Sequence, residues 1–82
     1  MRVLSASGQL GFGIPQAAFQ HGLERKPHVI AADMGSVDPG PAYLGSGTIA
    51  APEALVRADL RLVLKAAREL DVPLLIGSAG TA

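Results

Sequence analysis

The 82-residue chain contains no cysteine, and its seven basic and seven acidic side chains cancel. Without cysteine, the protein can form neither a disulfide framework nor a thiolate metal site, and it has no thiol nucleophile. The balanced charge gives no reason to expect nucleic-acid binding, which depends on a basic excess. No apolar stretch approaches the ~20 residues of a membrane span, and residues 1–5 have too few basic and apolar side chains for a secretory signal. We therefore expect a cytoplasmic protein with no membrane and no nucleic-acid partner.

Apolar residues make up 49% of the chain, which excludes a disordered protein and allows one small domain over residues 1–82. Apolar runs and helical spacings alternate along it. They predict strands at residues 2–6, 28–32 and 72–76 and helices at residues 15–25 and 52–70. This βαβαβ order predicts an α/β fold with a three-stranded parallel sheet and right-handed crossovers, a Rossmann-like half.

The spacing of apolar residues also predicts which surfaces are buried. The continuous apolar run of the second strand fits a strand that is covered on both faces. Gly22 weakens the first helix by roughly 1 kcal/mol relative to alanine, and a close approach between helix and sheet would explain it. The predicted inner face of the first helix comprises Ile14, Ala18, Phe19 and Leu23, and that of the second comprises Val56, Leu60, Val63, Ala67 and Leu70. Arg57, Arg61 and Lys65 form a ridge that we interpret as solvated.

The chain stops directly after the third predicted strand, inside a second glycine-rich loop. A parallel sheet is normally covered on both faces, and no third helix follows here. We therefore expect the chain to be the N-terminal part of a longer α/β protein, or a subunit that a second copy or a partner completes. A self-contained small domain is the alternative.

The predicted strands all end in small or polar residues. The carboxyl ends of parallel strands lie side by side at one edge of a sheet, which is where ligands of open α/β sheets bind. Glycine lets a ligand approach the main chain, and helix N-termini favour carboxylate or phosphate groups. The candidate ligand-binding residues at this edge are Ser7, Gly8, Gly11, Gly13, Gly35, Ser36, Tyr43, Gly77, Ser78 and Gly80.

Asp33 is the strongest catalytic candidate, because it ends a buried strand and is followed by a long loop, residues 35–51, of the length that usually serves a function. It could act as a general base, bind a hydroxyl group or contribute to a Mg²⁺ site, although nothing else in the sequence supports a metal. Asp38 is a second catalytic candidate and fits an Asx-turn equally well. Tyr43 could stack on a ligand or act as an acid, or merely anchor its loop to the core.

Several established site types do not fit the pattern. Gly8, Gly11 and Gly13 have the spacing G-x-x-G-x-G rather than the dinucleotide fingerprint, although Asp33 follows at about the distance of a ribose-binding carboxylate. No Walker-type sequence and no serine nucleophile elbow occur. His21 and His28 lack metal-ligand spacing and are interpreted as surface or satisfied core residues, so no metal site is predicted.

Three segments together carry a family resemblance. They are Leu4–Gly8 with Gly11–Pro15, Ile30–Gly47 with its Asp-x-Gly-Ser-x-Asp-Pro-Gly-Pro block, and Leu75–Gly80. In this order they resemble the N-terminal part of acyclic terpene utilisation AtuA-like proteins. The resemblance implies a bacterial cytoplasmic protein several times longer than this chain, linked to the breakdown of branched acyclic terpenes or small organic acids. Family members tend to carry a further glycine where this chain has Thr81, and the resemblance implies no catalytic residues.

The leading hypothesis is therefore the N-terminal α/β part of a metabolic enzyme that acts on a small carboxylate or an acyl-coenzyme A, with the isolated chain inactive. Backbone amides near residues 7–13 and 77–80 would hold the anion, and Asp33 would supply acid–base or hydroxyl-binding chemistry. No cofactor is assigned, and a coenzyme A ester is considered only as a substrate. The alternatives are a non-catalytic module that binds a ligand or a subunit, and a nucleotide-binding half-domain.

Overall fold

A computed structural model describes residues 1–6, 10–34, 45–47 and 52–77. Within these ranges the three strands form one sheet in the order β1-β2-β3, and both neighbouring pairs are parallel. This confirms the predicted α/β architecture of a Rossmann-like half. The elements are β1 Val3–Ser5, α1 Gln16–Glu24, β2 Val29–Asp33, α2 Glu53–Leu70 and β3 Leu74–Gly77.

Both helices cover the same face of the sheet. Each crossover steps in the same direction along the order β1-β2-β3, and right-handed crossovers in one direction place their helices on one side. The core confirms this, because alternate strand residues pack with residues of both helices. The strand residues in this core are Leu4, Ala6, Ile30, Ala32, Leu74 and Ile76, and the helical residues include Phe19, Leu23, Val63, Ala66 and Ala67.

The opposite face of the sheet is largely exposed. Val3 and Leu75 each retain 61% of their accessible surface, and Val29 and Ala31 between them are half-buried. Among the described residues, β2 is therefore buried on the helix side and half-buried on the other, so the prediction that it is covered on both faces stays a prediction. An unbroken apolar run shows that both faces of a strand carry apolar side chains. It does not show that elements of the same chain pack on both faces.

Gly22 of α1 lies against Leu4 of β1, as the interpretation of a close helix–sheet approach predicted. A Cβ built at position 22 would stand 2.6 Å from Leu4 Cδ1. Two other predictions about the helices are wrong. Ala18 is exposed, and Leu70 retains 37% of its surface at the end of α2. Leu70 is the last residue of α2, and the helix ends there because Asp71 takes a left-handed conformation with φ 55°.

The buried stripe of α2 shares only Val63 and Ala67 with the predicted one and includes a charged residue. The buried residues of this helix are Asp59, Val63, Ala66 and Ala67. Val56 and Leu60 are half-buried. No helix in the described ranges has the length and apolar character needed to cross a membrane.

Candidate ligand site at the carboxyl edge of the sheet

Main-chain hydrogen bonds join the three strands where they end. The amide of Ala6 donates to the Ala31 carbonyl at 3.0 Å, and the amide of Met34 donates to the Gly77 carbonyl at 3.0 Å. In the register of β2 and β3, Asp33 is paired with Gly77. The carboxyl ends of all three strands therefore form a continuous edge, which we call the carboxyl edge.

The chain after β1 returns to this edge and is attached to the end of β2. The amide of Leu10 donates to the carbonyl of Asp33 at 2.7 Å, and the Leu10 side chain is fully buried. Leu10 thus brings the residues that follow it next to the end of β2. Two predicted site residues, Gly11 and Gly13, occupy this position.

Asp33 is the last residue of β2 and its side chain is exposed. Side chains alternate along a strand, so Asp33 lies on the same face as Ala31, the face that the helices leave uncovered. Its strand neighbour Gly77 has no side chain, and a Cβ built there would meet nothing within 4 Å. There is therefore open space above Gly77 at this edge of the sheet.

Gly11 and Gly13 adopt backbone conformations that favour glycine, with φ angles of 110° and 90°. We call residues 11–13 the Gly11–Gly13 turn. Phe12 at its centre is 60% exposed. A Cβ at Gly13 would meet nothing within 4 Å. The backbone angle, rather than a lack of space, is therefore the reason for glycine at this position.

The amides of this turn already have a partner within the chain. The N–H groups of Gly11 and Gly13 both donate to Asp59 Oδ2, at 2.8 and 3.0 Å. Asp59 projects from the second turn of α2 into the core and retains only 7% of its surface. It links the longest helix to the carboxyl edge.

Sequence reasoning did not single out Asp59, although one signal was available. Asp59 precedes Val63 by four residues and Ala66 by seven, which places it on the buried stripe of α2. A carboxylate on such a stripe requires a buried donor. The donors lie 48 and 46 residues away, beyond the reach of any local pattern.

The remaining predicted site residues fall outside the described residues. The structure therefore brings Asp33, Gly77 and the Gly11–Gly13 turn to one edge and leaves the other predictions as they stand. Those other residues are Ser7, Gly8, Gly35, Ser36, Asp38, Tyr43, Ser78 and Gly80.

Two other polar contacts in the described ranges involve a histidine at the amino end of β2 and an ion pair on the surface of α2. His28 follows the first crossover, and its Nδ1 accepts the amide of Arg2 at 2.7 Å. Arg57 Nη2 lies 2.7 Å from Glu53 Oε1 on the exposed side of α2. No cluster of three or more metal-binding side chains occurs among the residues the structure describes.

Comparisons with models of protein families, with curated proteins and with solved structures found no match to this chain.

Proposed function

We propose that the chain is the N-terminal α/β part of a bacterial metabolic enzyme of the acyclic terpene utilisation type, acting on a small carboxylate or an acyl-coenzyme A. The resemblance of its three segments to AtuA-like proteins supports the family. The observation that carries the proposed site is the pairing of Asp33 with Gly77 at the carboxyl edge. This pairing puts Asp33 and an open position at Gly77 next to each other at the edge where parallel sheets bind ligands.

In this proposal Asp33 supplies acid–base chemistry or binds a hydroxyl group of the substrate. A carboxylate at a strand end suits both roles, because the sheet holds its main chain rigidly. The Leu10 amide and the register with β3 fix that main chain here. Backbone amides of the loops after β1 and β3 would hold the substrate anion.

The first test is ligand binding by the 82-residue chain. Succinate and acetyl-coenzyme A are suitable probes of the two proposed substrate classes, and ATP and NAD probe the nucleotide-binding alternative. The proposal predicts a higher melting temperature with succinate or acetyl-coenzyme A, and loss of that increase in Asp33→Asn. Stabilisation by ATP or NAD alone would instead support the half-domain.

Asp71→Asn provides a matched control for this substitution. Asp71 is exposed, ends α2 and therefore lies at the amino end of β3, away from the carboxyl edge. Its left-handed conformation is one that asparagine tolerates well. If Asp71→Asn removed ligand stabilisation as fully as Asp33→Asn, the site would not be at the carboxyl edge.

A second candidate function has a specific observation in its favour. The uncovered sheet face, with Val3 and Leu75 each 61% exposed, suits a module that another protein layer completes. Sedimentation equilibrium of the chain tests this candidate. Concentration-dependent association that Leu75→Lys abolishes would support it, whereas a monomer at all concentrations would exclude self-association.

A further inference from the structure

In the contact between Asp59 and the Gly11–Gly13 turn, the described partners of a buried carboxylate are main-chain amides and not a cationic side chain. Two backbone amides meet one carboxylate oxygen at 2.8 and 3.0 Å, and the residue retains 7% of its surface. The ion pairs among the described residues join His21 with Glu24 and Arg57 with Glu53, so none of them neutralises Asp59. Within that part of the chain, amide dipoles are the partners of its buried charge.

The shape of the turn explains why these amides converge. Both glycines have positive φ angles, and their N–H groups converge on a single carboxylate oxygen. Such concave arrangements of main-chain amides bind anionic oxygens in many proteins, and they recognise carboxylate and phosphate groups alike. The side chain of Asp59 occupies the concavity as a bound carboxylate would.

We propose that the Gly11–Gly13 turn is an oxyanion-binding nest and that Asp59 is its built-in competitor. A carboxylate or phosphate oxygen of a ligand binds these amides when the turn separates from Asp59. Gly13 is exposed and its hydrogen bond to Asp59 is only partly buried, whereas Gly11 is buried, so a ligand reaches these amides from the Gly13 side. The inference rests on the proposed function, because it concerns the anion-binding half of that same site.

The competition lowers the affinity of the nest for an external anion. The apparent affinity equals the affinity of the binding-competent state multiplied by the fraction of molecules in that state. Asp59 is held on a helix next to the amides, so the paired state dominates in the wild-type chain. Removing its carboxylate makes the nest available without any movement of the turn.

A purely structural role for Asp59 predicts a different outcome. In that case, loss of the carboxylate leaves two amides without a partner and destabilises the fold, but no anion takes its place. The two accounts therefore differ in anion binding by the variant rather than in its stability. The amide resonances of Gly11 and Gly13 report on this directly, since glycine ¹⁵N shifts are well separated from those of other residues.

The experiment titrates inorganic phosphate into ¹⁵N-labelled Asp59→Ala and wild-type chains, with chloride at matched ionic strength as the reference. We expect saturable shifts of the Gly11 and Gly13 amides in Asp59→Ala, with an apparent Kd at least about tenfold below that of the wild type. The melting temperature of Asp59→Ala should also rise with phosphate. Glu69→Ala removes an exposed carboxylate from the same helix and should bind phosphate as the wild type does.

A folded Asp59→Ala chain whose glycine amides do not respond to phosphate would overturn the proposal, and so would equal affinities in variant and wild type. If Asp59→Ala does not fold, Asp59→Asn removes the charge and keeps the shape. It should bind phosphate at least about threefold more tightly than the wild type, and unchanged affinity would overturn the proposal.

This test is separable from that of the proposed function, because phosphate binding to the nest requires no substrate and no Asp33 carboxylate. Adding Asp33→Asn to Asp59→Ala should leave the phosphate affinity unchanged. A phosphate response in Asp59→Ala without any succinate or acetyl-coenzyme A binding would retain the nest and remove the proposed function. Ligand binding at Asp33 without a phosphate response would remove the nest alone.

Discussion

Gly22 and Leu4 are packed so closely that a single methyl group on the helix would overlap the strand side chain. The separation from a built Cβ to Leu4 Cδ1 is 2.6 Å, shorter than real Cβ contacts. This contact sets how closely α1 approaches the sheet. The glycine thus weakens the helix locally and permits the packing that holds it.

The effect of Gly22→Ala on the free energy of unfolding should therefore depend on the residue at position 4. In the wild-type background the added methyl group overlaps only Leu4 Cδ1, the end of a flexible side chain that must turn away, so we expect less than the full helix-propensity gain of about 1 kcal/mol. In a Leu4→Ala background the clash is absent, and Gly22→Ala should stabilise by about 1 kcal/mol. Urea unfolding of the four proteins measures both effects.

Ala17→Gly is the matched control for this cycle, because Ala17 is exposed in the same helix. It should cost about 1 kcal/mol with either leucine or alanine at position 4. Equal effects of Gly22→Ala in the two backgrounds would show that Leu4 does not limit the approach of α1.

The backbone of the Gly11–Gly13 turn should tolerate a side chain poorly even where there is room for one. Gly13→Ala places a methyl group in open space at φ 90°, so the expected cost is conformational, about 1–2 kcal/mol. Gly77→Ala also enters open space, but without a positive φ, and should change the unfolding free energy by less than about 0.5 kcal/mol. If both substitutions cost the same, backbone conformation would not be the reason for glycine at position 13.

The two faces of the sheet should differ sharply in their sensitivity to substitution. Ile30 is fully buried beneath the helices, and Ile30→Ala should cost about 2–5 kcal/mol. Leu75 is 61% exposed, and Leu75→Ala should cost less than about 1 kcal/mol in the 82-residue chain. Chemical denaturation gives both values. A Leu75→Ala cost that matched Ile30→Ala would mean that another layer covers this face.

The order of the elements and the position of Asp33 could be predicted because both depend on local pattern. Short apolar runs, helical spacing and proline before each helix determine the βαβαβ order, and the parallel topology then brings Asp33 and Gly77 to one edge. The role of Gly22 could also be predicted, since a mid-helix glycine requires a reason.

The rest of the site depends on contacts between residues far apart in the chain. The position of Asp59 on the buried stripe of α2 is a local signal, but its partners are amides 48 and 46 residues away, which no local pattern identifies. Ala18 is small enough to suit either face of α1, so periodicity could not place it. The uncovered face likewise follows from the direction of the crossovers, which the composition of β2 does not encode.

The most direct test of a ligand site at the carboxyl edge is a ¹⁵N-HSQC titration of the chain with succinate and acetyl-coenzyme A. The account predicts that one of these probes produces saturable shifts at Asp33 and Gly77, leaves Asp71 at the opposite edge unchanged, and loses its effect in Asp33→Asn. Shifts that centre on Asp71, or no saturable shift at Asp33 and Gly77 with either probe, would contradict it.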